Sequence, residues 1–257
     1  MSNLIHVPKR RVSSGAAGLS LVGVGYVNGS DVSSTVTVPT LYESGYSGDT
    51  ATMSEGDTCI ILVKYYEEDT DDLTITGYTK ETVGPFGDPD KYNSTCTLFW
   101  KVQGATPDTS VTRSRTFGTY VAMQYIFFVV SGADTTTLMD VASVASQFDR
   151  DSAGAQPNPA AITPTTAGAW VLSLGGDATP GNTGVMTEGY AGGAGNMTEL
   201  WSWQDDDIFG GSEGSEVAFA YYTDWTSGSF DPAAFSGFTQ ENNNHGIQAS
   251  MVLRPAT

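Results

Sequence analysis

The side chains able to do chemistry in this chain are few in kind and scattered. Histidine occurs only as His6 and His245. A serine–histidine–acid triad needs one of them beside an activated serine, and no Gly-x-Ser-x-Gly turn is present to offer one. The His-Glu-x-x-His pattern that holds zinc on a helix is also absent. Cys59 and Cys96 are the only cysteines, and two thiols do not complete a four-ligand zinc site. Carboxylates are abundant, so cleavage of a glycosidic bond by paired acids stays open on residue type. Glu199, next to Trp201 and Trp203, is the acid best placed for it. Acidic turns offer hard oxygens to calcium instead: Asp205, Asp206 and Asp207, or Asp69 with Asp71 and Asp72. Neither run has EF-hand spacing, and consecutive carboxylates in a turn are ordinarily just hydrated. Sugar binding is a further option. Trp225 and Phe230 lie in a long aromatic and Asn-rich segment that also holds Asn243. Such rings stack on apolar sugar faces while amides bond hydroxyls. The plain alternative for Trp225, Phe230, Trp201, Trp203, Tyr221 and Tyr222 is core packing. No residue is assigned a catalytic role.

Charge narrows the partners. The chain has 257 residues, 29 acidic and 11 basic, for a net charge of −18. Three of the basic residues are adjacent, as Lys9, Arg10 and Arg11. From Asp151 onward the only basic residue is Arg254, against twelve acids. Such a field repels nucleic acid and anionic lipid, and it keeps a surface soluble at high copy number. No apolar run is long enough for a signal peptide or a membrane span, so maturation in the cytoplasm is expected.

The elements that must position these groups read as strands. Residues 19–27, 36–39, 58–66, 95–102, 111–117, 120–130, 141–148, 217–222 and the last ten or so alternate or run apolar with β-branched and aromatic residues. In 58–66, Ile60 and Leu62 fall on one face and Ile61 and Val63 on the other, which predicts a central strand buried on both sides. Cys59 and Cys96 lie in strands and are expected as small buried hydrophobes. Residues 151–164 read as a connector, and 175–184 and 225–244 as loops. Residues 1–18 read as an arm: Leu4-Ile5-His6-Val7, then Pro8, then the cation trio, then a Ser/Gly/Ala joint. A basic arm on an acidic body is suited to docking on an acidic partner. Leu4, Ile5, Lys9, Arg10 and Arg11 are its candidate contacts.

The strand pattern is written twice. Residues 56–65, 75–81, 96–101 and 120–130 find counterparts at 167–174, 185–190, 198–203 and 245–254. Two such copies are too few for a propeller and too long for a solenoid period. They predict an all-β fold: an antiparallel two-sheet jelly-roll sandwich, residues 19–257, with pseudo-repeated halves at about 19–150 and 165–257. Each half alone would expose an apolar sheet face, and packing the two together removes that cost.

One set of motifs resembles a known family. It comprises Val36-Thr37-Val38-Pro39, Glu55-Gly56-Asp57 before an apolar strand, and Gly77-Tyr78-Thr79. Trp100-Lys101-Val102, the run from Val129 through Gly132 and Asp134 to Thr137, and Val252-Leu253-Arg254-Pro255 complete it. It is similar to the jelly-roll (concanavalin A-like sandwich) modules of tailed-bacteriophage virion proteins and some bacterial surface proteins. The resemblance covers about residues 19–257 and brings no catalytic residues. It implies a non-enzymatic virion structural protein, assembled in the host cytoplasm. The expected form is a capsid decoration or spike or a tail appendage, anchored by its arm to other virion proteins and homo-oligomeric, with no nucleic-acid or membrane partner and no cofactor beyond optional calcium. The alternatives are a host-glycan-binding attachment module, through Trp225, Phe230 and Asn243, and a polysaccharide depolymerase.

Overall fold

The computed structural model describes residues 18–29, 34–43, 49–66, 73–84, 92–114, 123–149, 156–180, 197–205, 213–235 and 244–257. Sequence readings of residues 1–17, 67–72, 181–196, 206–207 and 243 lie outside the described residues. So do those that depend on the side chains of Glu199, Trp201, Trp203, Asp205 and His245.

The described chain is all-β, as its alternation predicts. Its first sheet holds, in spatial order, β6 (Thr79–Thr82), β7 (Tyr92–Val102), β5 (Thr58–Tyr66), β9 (Met123–Ser131), β1 (Ser20–Gly29), β3 (Leu41–Tyr42) and β4 (Thr50–Ala51). The second holds β12 (Glu199–Asp205), β13 (Glu213–Tyr222), β11 (Trp170–Pro180), β14 (Asn244–Leu253) and β10 (Val144–Asp149). Pairing within each sheet is antiparallel. Among the described residues, the sheets pair edge to edge only where Asn244 and His245 run parallel with Tyr92 and Asn93. A ribbon of β2 (Thr35–Thr37) with β8 (Ser110–Thr112) forms a separate two-stranded sheet.

The inner faces of the two sheets close one apolar core. Ile60 and Leu62 of β5, Leu98 and Trp100 of β7, and Ile126, Phe128 and Val130 of β9 meet Trp170, Leu172, Phe219, Tyr221, Met251 and Leu253 from the opposite sheet. Phe128 is the hub, with ring centroids 5.0 Å from Phe219, 5.5 Å from Tyr221 and 6.4 Å from Trp170. These tilted aromatic contacts add to area burial.

The outer face of the first sheet is buried too. Cys59, Ile61, Val63 and Tyr65 of β5, Phe99, and Tyr125, Phe127 and Val129 of β9 pack under Val36 and Val111 of the β2–β8 ribbon, with Leu41, Met53, Leu73 and Ile75. The two-sided burial expected of β5 is therefore present, and β9 shares it: Met123 to Val130 is buried throughout. Cys59 belongs to this outer core and Cys96 to the inner one. Facing away from each other across a sheet, the two thiols are free and buried.

Residues 156–165 and 225–235 cover the outer face of the second sheet. Ile162 and Phe230 exchange two backbone hydrogen bonds of 2.8 Å, Phe235 N donates to Pro157 O at 2.8 Å, and Ser250 Oγ donates to Ala160 O at 2.6 Å. The sequence places a loop from Gly175 on, but β11 continues to Pro180. Gly175 marks a close approach rather than a turn. A Cβ there would lie 2.7 Å from Pro157 Cβ and 2.8 Å from Phe235 Cδ2. Gly175→Ala is thus expected to destabilise the fold by about 1–3 kcal/mol. Gly104→Ala, whose Cβ meets nothing within 4 Å, should leave the urea midpoint nearly unchanged.

Chain order within the sheets is regular. The strands β1, β5, β7 and β9 lie in space as β7-β5-β9-β1, and β10, β11, β13 and β14 as β13-β11-β14-β10. Both are the same permutation. The place of β7 is taken by β13, whereas the sequence pairs 96–101 with 198–203, which is β12. The chain completes the first sheet before it crosses to the second.

Candidate functional site

The strand directions gather the chain ends. The start of β1, the end of β9 and the end of β14 lie together: Ser20 pairs with Ser131, and Ala133 bridges to Pro255. Gly132, with φ of 74°, lets the chain turn there. A Cβ on it would come within 2.4 Å of the Gly18 carbonyl oxygen. Ala256 N donates to Gly132 O at 2.8 Å. Residues 1–17 therefore connect to the body beside its C-terminal residues.

Three carboxylates fasten this end. Asp134 Oδ1 accepts from Thr136 N at 2.8 Å, Thr136 Oγ1 at 2.7 Å and Thr137 N at 3.1 Å. Its own N–H donates to Arg254 O, and Arg254 N donates to Leu138 O, at 2.9 and 2.8 Å. The Gly-Ala-Asp-Thr-Thr-Thr and Leu-Arg-Pro motifs are thus one structure. Asp140 comes next. Its side chain has no exposed surface. Oδ2 accepts from Thr165 N at 2.5 Å, Thr165 Oγ1 at 3.1 Å and Thr166 N at 3.1 Å, Oδ1 accepts from Thr166 Oγ1, and Arg254 Nε stands 3.7 Å from Oδ1. Burial pushes its carboxyl up, but the hydrogen bonds from Thr166 and Thr165 outweigh that and hold it below its ordinary value.

Asp108 organises the third cluster. It accepts from Lys101 Nζ at 2.7 and 2.9 Å and from Tyr78 Oη at 3.0 Å, and its N–H donates to Gln103 Oε1 at 2.8 Å. Burial raises this carboxyl as well, and the Lys101 and Tyr78 hydrogen bonds overcome it, so its pKa is lowered. The Glu-Gly-Asp motif joins the same corner. Gly56 N donates to Gln103 O, Gln103 N donates to Asp57 O, and Asp57 Oδ2 accepts from Ser54 N, at 2.9, 2.8 and 2.7 Å.

Cys59, Tyr78, Asp108 and Lys101 form a chain of titratable groups, the richest set of this kind at the corner. Cys59 and Tyr78 hold their protons. Burial pushes the Cys59 thiol up to about 12, against the opposing hydrogen bond with Tyr78. Burial also raises Tyr78 far above its ordinary value, with Cys59 adding to the effect. Cys96 is likewise pushed up to about 12 by burial. A thiol that does not ionise is neither nucleophile nor ligand. We expect neither cysteine to react with a thiol reagent at neutral pH in the native protein, and both to react after denaturation in urea. Rapid modification of the native form would contradict this geometry.

The residues singled out in the sequence fall in different places. Trp225 is half-buried, and its Nε1 donates to Gly228 O at 2.9 Å, closing its own turn. Phe230 stacks on Tyr222, centroids 4.6 Å apart and planes 18° from parallel, within the cover over the second sheet. Asp205 ends β12 at the far end from the termini, since Glu199 pairs with Tyr221 and Asp205 with Ser215. His245 falls inside β14. Arm residues Leu4, Ile5, Lys9, Arg10 and Arg11, and also Asn243, Asp206 and Asp207, lie outside the described residues. Among the described residues no three His, Cys, Asp or Glu side chains gather as a metal-holding group, and no helix is long and apolar enough to cross a membrane.

Sequence reasoning missed the buried polar residues. Lys64 and Gln124 are register partners and fully buried, with Gln124 Nε2 donating to Tyr26 Oη at 2.8 Å. Arg113 is buried, with Nη1 2.7 Å from Met123 Sδ. Lys64 had a signal, because a charge sits inside an apolar run at an inward-alternating position. Asp108 and Asp140 had none. No protein-family model, curated protein or solved structure matches the chain.

Proposed function

We propose that this chain is a non-enzymatic structural protein of a tailed-bacteriophage particle, a capsid decoration or spike or a tail appendage, held in place by its N-terminal arm. The observation that carries the reading is where the motif residues lie. Gly56, Asp57, Tyr78, Lys101, Gly132, Asp134 and Arg254 all close turns or brace strands at the end where residues 1–17 attach. In that role the motifs build a rigid platform behind an arm. Net charge supports the same reading: an acidic body resists aggregation in many copies, and a basic arm gives it one attractive end.

The finer architecture belongs to this proposal. We read the shared strand permutation of the two sheets as the trace of pseudo-repeated halves, and the sandwich as a jelly-roll relative whose chain fills one sheet before the other. The partners are other virion proteins and further copies of the chain. Attachment to a host glycan through Trp225 and Phe230 is the lesser reading, because Phe230 already spends one ring face on Tyr222.

Deleting residues 1–14 tests the anchor. The truncated protein is expected to keep the circular dichroism and urea midpoint of the full chain, yet to be missing from purified particles. Incorporation at full occupancy would overturn the reading.

A further inference from the structure

We infer that the arm's partner is a second copy of this chain, and that Leu4-Ile5-His6-Val7 adds to its β10 edge as an antiparallel strand. This rests on the arm being an anchor, and it names what the arm holds.

The edge is open. One side of β10 pairs with β14, and no described strand pairs with its other side. Exposed edge strands are normally guarded by lysine, proline or a bulge. This one reads Val144-Ala145-Ser146-Gln147-Phe148-Asp149, with no lysine, proline or bulge and a charge only at its last residue. Val144 is 39% exposed, the only large hydrophobic so exposed among the described residues. An unguarded edge with an exposed valine fits an added strand that hydrogen-bonds the backbone and covers the side chain.

The arm has matching chemistry. Leu4 to Val7 is a short apolar stretch, and Pro8 ends it because proline cannot donate to a ladder. Residues 1–17 hold Lys9, Arg10 and Arg11 and no acid, so the net −18 of the chain becomes −21 over the remainder. Two such bodies repel each other, and a +3 arm exchanged between them offsets that repulsion. Direction agrees as well. Val144 pairs with Ser250 and Asp149 with His245, so β10 starts toward the end of the body where Gly18 and Gly132 meet. A strand antiparallel to β10 therefore runs back toward that end. Residues 8–17, ten residues, reach at most about 35 Å, enough to link two neighbouring bodies.

The test uses full-length protein and two single variants, Ile5→Cys and Val144→Cys, mixed and oxidised; Cys59 and Cys96 are buried and do not compete. The expected result is a disulfide-linked pair of chains on a non-reducing gel, and loss of assembly by sedimentation when Ile5→Pro is introduced. No cross-link in the mixture overturns the proposal. So does a double Ile5→Cys/Val144→Cys variant that links only within one chain, since the arm would then cover its own edge. Sedimentation unchanged by Ile5→Pro also overturns it. The anchor reading fails separately, if particles take up the 1–14 deletion at full occupancy while the mixed-chain cross-link still forms.

Discussion

Phe128→Ala is expected to cost about 3–5 kcal/mol, the range for emptying an aromatic site in a packed core. Domain stabilities run about 5–15 kcal/mol, so this one change removes a large part of the total. The reason is position. Phe128 sits in β9 between Ile60 and Val24 of its own sheet and reaches three aromatic rings of the other sheet. Its loss leaves a cavity on the seam, where neither sheet can relax without moving the other. Trp170 and Tyr221, stacked on each other at 5.5 Å and 15°, would both lose the ring they share. Urea unfolding followed by circular dichroism reads the effect. Phe128→Leu should cost less than half as much, because most of the volume is kept. Val144→Ala on the exposed edge should stay within about 0.5 kcal/mol. Equal midpoints for Phe128→Ala and Val144→Ala would mean that the sheets are not clamped at this ring.

Asp140→Ala is expected to cost roughly 3 kcal/mol, because it strands the Thr165 and Thr166 N–H groups and leaves Arg254 without its carboxylate. Asp140→Asn keeps the shape and one acceptor and should cost about half of that. The pH dependence follows from the direction of the shift. The folded-state carboxyl is held below its ordinary value. Its contribution is therefore complete above the unfolded value of about 3.9, and is lost as pH falls through and below it. Asp108 is shifted the same way, so removing Asp140 flattens the acid limb only in part. Urea midpoints at pH 7 and pH 3 should converge more in Asp140→Asn than in the unaltered chain. An unchanged difference would assign the acid sensitivity elsewhere.

Much of the architecture was legible along the chain. The two-sided burial of β5 follows from Ile60 and Leu62 alternating with Ile61 and Val63, and the 123–130 run, apolar but for Gln124, marks β9 as the core strand it is. The glycine pair at 175–176 misled, because a glycine that permits close approach looks the same in sequence as one that permits a turn. Only the arrival of Pro157 and Phe235 over Gly175 distinguishes them. The match of 96–101 to 198–203 carried no information on which strands would lie side by side. Both stretches are aromatic strands, but the place beside β11 that corresponds to β7 beside β5 is held by β13.

By itself the sequence determined that the chain is built of strands, which faces of those strands are apolar, and that its charge is acidic with one basic cluster. Those properties depend on side-chain alternation and composition, which are local. The tertiary structure alone decided which strands share a sheet, that Cys59 and Cys96 face opposite cores, and that Asp140 meets Thr165 and Asp108 meets Tyr78. Those partners lie 25 and 30 residues apart. A carboxylate in a loop carries no mark of the donor it will find, because the pairing is fixed by how the sheets stack and not by the residues beside it.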